Sequence, residues 1–98
     1  MIELSFGGEF DENGLVEHIR RSGRDYIIQG QQTDNMESHH KPSSLDSWLR
    51  QMEGVEANKK QADNNVIQQL VDTGLFTLVS GLICPDTGVR SKGLKIVE

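Results

Sequence analysis

Glu37-Ser38-His39-His40 is the one run in this chain that sets metal-ligating side chains next to one another. In a loop, two neighbouring imidazoles can converge on a cation, with Glu37, Asp34 or the distant His18 as a third ligand. In a strand the same two side chains would point to opposite sides. The spacing matches no zinc signature, and apart from Met36 the loop has no large apolar anchor to hold ligands rigidly. A solvated loop is the simpler reading, and no metal is expected; a metal-dependent enzyme centred on His39 and His40 is the remote alternative. Cys84 is the sole cysteine, which excludes an internal disulfide and a multi-cysteine zinc site. It precedes a proline with only Arg90 near it in sequence, and a reactive thiol needs a base that His18 could supply only through tertiary folding. Asp11-Glu12 and Asp25 lack a matched acid–base partner, and Gly7-Gly8 lacks the lysine of a phosphate loop. No catalytic signature emerges, so the expectation is a non-enzymatic protein without cofactor or small-molecule substrate.

Binding residues are easier to nominate. Leu45, Trp48, Leu49 and Met52 fall at i, i+3, i+4 and i+7, which puts all four on one face of a helix. That stripe is either core or an exposed anchor for a protein partner or a second copy of the chain, Trp being enriched at such contacts. Leu45, Trp48 and Met52 are therefore the candidate partner-binding residues.

The elements that must position these residues fit one domain spanning 1–98. With 35% apolar residues and only five aromatics, its core must be built mainly from Leu, Ile and Val. No apolar run approaches the roughly 20 residues that cross a bilayer. The opening Met1-Ile2-Glu3-Leu4 has no basic, apolar leader pattern, from which a cytoplasmic location is expected. The net charge of -5 resides in residues 1–40, which hold three Arg or Lys against eight Asp or Glu; residues 41–98 are neutral. Such acidity argues against a broad nucleic-acid grip, though not against a local basic edge.

Ile2-Glu3-Leu4-Ser5-Phe6 alternates as a half-buried strand does, and Gly7-Gly8 closes it. Asp11 can cap a helix over 12–22, with Phe10 stapling to Leu15 and Leu15, Val16 and Ile19 as its buried stripe. A short strand over 25–29 follows. Residues 31–42 are polar and aperiodic and read as a flexible loop. Pro42-Ser43-Ser44 opens the helix of the Trp48 stripe, which Gly54 ends, and a longer helix is expected over 56–73. Strands over 75–83 and 89–97 flank a turn at Pro85-Asp86-Thr87-Gly88. The fold class is α+β: three helices, a C-terminal β-hairpin and an extra N-terminal strand pairing with 25–29 or extending the hairpin sheet.

The stretch from Val66 through Thr73-Gly74-Leu75-Phe76, with the hairpin after it, resembles the end of the winged helix-turn-helix family. There, apolar residues of a third helix pack inward and a Gly-Leu pair turns the chain into the first strand of the wing. The resemblance covers about a third of the chain. Ten residues separate Gly54-Val55 from Val66, so either the third helix is long or the turn before it is expanded. What the resemblance implies is DNA binding: Lys59, Lys60, Gln61, Asn64 and Gln68 in the major groove, and Arg90, Lys92 and Lys95 on phosphate. The plain alternative is a solvated polar helix face and a basic strand edge. A protein-interaction or regulatory domain is the first functional expectation, a DNA-binding regulator the second.

Overall fold

The alternation at the N-terminus builds only a two-residue strand, β1 (Ile2–Glu3), because Gly7 and Gly8 adopt positive φ and turn the chain straight back. The return arm is β2 (Glu9–Phe10), antiparallel to β1, with Ile2 opposite Phe10. The N-terminal strand thus joins neither residues 25–29 nor the C-terminal hairpin; it forms a small sheet of its own. We describe here a computed structural model covering residues 1–30, 44–56, 59–83, 88 and 90–97; the loop expected over 31–42 lies outside the described residues.

Asp11 caps α1 (Glu12–Arg21), its carboxylate accepting from the Asn13 amide at 2.9 Å. Leu15 and Ile19 are buried on this helix. Next comes β3 (Tyr26–Ile28), whose ladder bonds reach one residue further at each end: Ile96 N donates to Asp25 O and Gln29 N donates to Lys92 O. Ser44 caps α2 (Leu45–Arg50), accepting from the Ser47 amide at 3.2 Å.

The expected long helix over 56–73 is shorter. α3 (Asn64–Asp72) begins eight residues later than that, behind the cap Asp63, which accepts from the Val66 amide at 3.0 Å. A side-chain acceptor at this point replaces the carbonyl that an upstream helical turn would supply. The expanded turn, not the long helix, is therefore the form the chain takes. Gln69 of α3 then clamps the N-terminal hairpin, accepting from Glu3 N at 2.9 Å and donating to Glu3 O at 2.8 Å.

β4 (Phe76–Ile83) and β5 (Arg90–Ile96) complete a three-stranded antiparallel sheet in the order β3-β5-β4. Ile27 lies opposite Leu94, and Phe76 opposite Ile96. These four side chains carry the core face of the sheet, and they bury with Leu15, Ile19, Leu45, Leu49, Val66 and Leu70 from all three helices. The described residues thus form an α+β domain with three helices and two antiparallel sheets.

At Gly93 the centre of the sheet tolerates no side chain. A Cβ there would stand 2.6 Å from Ile28 Cα and closer still to the Ile27 carbonyl oxygen, both backbone atoms of the neighbouring strand. We expect Gly93→Ala to cost about 1–3 kcal/mol through overpacking. Thermal denaturation should then show a Tm lowered by about 4–8 °C for each kcal/mol, and an unchanged Tm would contradict this close approach.

Candidate functional site

Asp46 and Arg50 stand one turn apart on α2 and are both buried, at 2% and 7% exposure. Arg50 Nε lies 3.0 Å from Asp46 Oδ2. The other carboxylate oxygen accepts from two consecutive backbone amides, Gln61 N at 2.7 Å and Ala62 N at 3.1 Å. A buried carboxylate needs this many donors to offset the loss of water. The same junction is tied to the sheet. Asp46 N donates to Gln29 O at 3.1 Å, and the buried Gln29 side chain donates to Ala62 O at 2.7 Å. Gln61 Nε2 adds a bond to Glu56 O at 2.8 Å. The end of β3, the start of α2 and the segment before α3 are thus locked together.

This lock sets Lys60 beside β5. Side chains alternate along a strand, so Arg90 and Lys92 share the face of β5 that carries Leu94 and Ile96. Leu94 and Ile96 are buried, whereas Lys92 and Arg90 are exposed, because the core ends between Leu94 and Lys92. Beyond that point lies a cleft of about 560 Å³ lined by Gln29, Gly30, Lys60, Arg90, Ser91 and Lys92. Among the described residues no carboxylate forms an ion pair with Lys60, Arg90 or Lys92. An anionic group entering the cleft would meet three cations and the Ser91 residue between two of them.

The other nominated residues are distributed differently. Lys95 sits on the opposite face of β5, 3.5 Å from Asp25. Lys59 lies 3.5 Å from Glu56, with its ammonium 4.7 Å from the centre of the Phe6 ring. Lys59, Lys60 and Gln61 precede α3 and do not form its N-terminal half, and Gln61 is buried at 1% exposure, out of reach of any groove. Asn64 is exposed at the first position of α3, and Gln68 is exposed with its amide donating to Asp72 Oδ1 at 2.9 Å. Sequence reasoning missed Gln29 and Gly30 as cleft residues, and Asp46 as the group that organises them.

The Trp48 stripe is largely consumed inside the domain. Leu45 is fully buried, so it cannot serve as a surface anchor. The half-buried Trp48 ring stacks on His18 of α1, with centroids 5.2 Å apart, and meets Phe10 edge-on at 5.7 Å. Met52, just past the end of α2, is half-buried against the core. Phe10, expected to staple to Leu15, joins the core cluster that holds Leu15 and meets Trp48 on α2.

Asp34, Glu37, His39, His40 and Cys84 lie outside the described residues. Among the described residues no three His, Cys, Asp or Glu side chains gather as a metal-holding group, and no helix is long and apolar enough to cross a membrane. Comparison with known proteins finds no matching family model, no similar curated protein and no similar solved structure.

Removing Asp46 strands the Arg50 charge and two amides in the interior. Asp46→Ala should therefore lose about 3–5 kcal/mol in urea denaturation. The double variant Asp46→Ala/Arg50→Met should recover part of that loss, because no unpaired guanidinium remains. If the double variant is no more stable than the single one, the buried ion pair is not the coupling described.

Proposed function

We propose that the domain is a non-enzymatic nucleic-acid-binding module of the winged-helix kind, holding the phosphate backbone in the cleft formed by Lys60, Arg90 and Lys92. The observation that carries this reading is the convergence of three cations from two separate segments around one cleft, with no carboxylate paired to them among the described residues. The order of the described elements after β2 supports it: helix, short strand, helix, helix, strand, strand agrees with the winged-helix order. The protein-partner alternative through Leu45, Trp48 and Met52 is weakened, since Leu45 is core and Trp48 lies against His18 and Phe10.

The grip is electrostatic and tolerant of sequence. Asp63 and Asp72 bracket α3, and Gln68 is engaged with Asp72, which leaves the exposed Asn64 and Asn65 as the α3 amides placed to approach a base edge. Phosphate contacts position a protein on a duplex without reading its bases. A net charge of -5 does not oppose this locally, because residues 73–97 carry three basic residues against one acid.

Three phosphate contacts should give a slope of log K against log salt of about -2 to -3, with affinity in the range of about 10⁻⁴–10⁻⁶ M for random-sequence duplex. In fluorescence anisotropy, Lys60→Glu/Lys92→Glu should weaken binding more than tenfold and flatten that slope. Lys95→Glu, on the other face of β5, should change it little. Equal binding by wild type and the Lys60→Glu/Lys92→Glu variant would sink the proposal, as would no binding by wild type at low salt.

A further inference from the structure

The sheet order leaves β4 at an edge, and β4 has none of the charge that natural edges usually carry. The thirteen residues from Thr73 to Pro85 contain no Asp, Glu, Lys or Arg in a chain that is 26% charged. Edge strands are normally guarded by lysine, proline or inward charge, because their free amides and carbonyls recruit other strands. Within β4 the only such device is an irregularity between Val79 and Leu82, where the register with β5 shifts. The half of the strand before it pairs regularly with β5, from Phe76 opposite Ile96 to Val79 opposite Gly93.

The ladder identifies which backbone groups face outward. Val97 N donates to Leu75 O, whereas Ile96 N and Lys92 O bond toward β3. Odd positions of β5 therefore serve β4 and even positions serve β3. In an antiparallel pair this assigns the N–H and C=O of Thr77 and Val79 to β5, and those of Phe76 and Leu78 to the open edge. Beside that edge the Leu78 side chain is 53% exposed and Ile83 is 50% exposed. No described strand covers them.

We infer that β4 is a self-association edge, and that its occupant is β4 of a second copy, paired antiparallel across a twofold axis into a continuous six-stranded sheet. Charge selects the occupant: a strand without charge offers no counter-ion to an acidic or basic peptide, whereas twofold pairing sets neutral strand against neutral strand. The opposite edge of the sheet limits growth. There, among the described residues, Ile28 of β3 is bridged to Ser44 and Gln29 O accepts from Asp46 N, which leaves β4 as the more open edge, and twofold pairing through that one edge closes as a dimer. This inference stands apart from the nucleic-acid reading, which uses β5 and Lys60.

The test combines sedimentation equilibrium with amide exchange on the full chain over a hundredfold range of concentration. The expected result is a concentration-dependent mass reaching twice the 11.0 kDa of one chain. Phe76 and Leu78 amides should exchange about tenfold or more slowly in the concentrated sample, while Thr77 and Val79 stay protected throughout. Leu78→Lys should remain monomeric with the near-ultraviolet dichroism of Trp48 retained; should it fail to fold, Thr77→Lys on the exposed face of the same strand replaces it. A monomer at every concentration overturns the inference. So does a dimer in which Phe76 and Leu78 exchange independently of concentration, which would place the contact on another surface.

Discussion

One carboxylate with almost no access to water determines how the helices meet the sheet. Asp46 has to be compensated inside the protein: the amides of Gln61 and Ala62 donate to one of its oxygens, and the Arg50 guanidinium beside the other supplies the opposing charge. Burying an ion costs several kcal/mol even after relaxation, so the arrangement is stable only when all of these donors are in place together. That requirement makes the junction all-or-none. The Gln61-Ala62 segment cannot continue α3 upstream, because the amides a helix would need are held by Asp46. Asp63 then becomes the natural cap, and α3 starts at Asn64.

The consequences reach the surface through Gln29. Its backbone carbonyl receives the Asp46 amide, its amide reaches Lys92 O, and its side chain holds Ala62 O. A single residue therefore couples the buried carboxylate to the β5 strand and to the segment that carries Lys60. Core packing sets the other boundary. Leu94 and Ile96 are covered by the helices, but Lys92 and Arg90, on the same face, lie past the end of that cover. The cleft is the place where the apolar face of the sheet runs out and the locked segment stands beside it.

Much of this was legible in the sequence, for reasons that differ by element. The cap at Asp11 was readable because side-chain capping is local, and the hairpin was readable from an apolar run, a Pro-Asp-Thr-Gly sequence and a second run that carries Arg90, Lys92 and Lys95. Arg90 and Lys92 could be tied to Leu94 and Ile96 by counting in twos. The start of α3 could not be read, since Lys59-Lys60-Gln61 has good helical composition and only a contact with Asp46, fifteen residues upstream of Gln61, removes it from the helix. The same contact buries Gln61, whose composition and neighbours point to the surface. Leu45, Trp48 and Leu49 share α2 as their spacing predicts, whereas Met52 falls beyond its end at Arg50; and periodicity marks a face without saying what covers it, which here includes His18 of α1 and Phe10 of the N-terminal hairpin. Gln29 gave no local signal at all: its role depends on three segments meeting at once.

The Asp46 junction sets Lys60, Arg90 and Lys92 around one cleft, and the proposal is that this cleft holds an anion. Amide chemical-shift mapping during titration with a short random-sequence DNA duplex at low salt tests it most directly. The largest shifts are expected at Gln29, Gly30, Lys60, Arg90, Ser91 and Lys92, with the Trp48 indole and Met52 unmoved. Shifts centred on Trp48 and Met52, or no shifts at all, would contradict it.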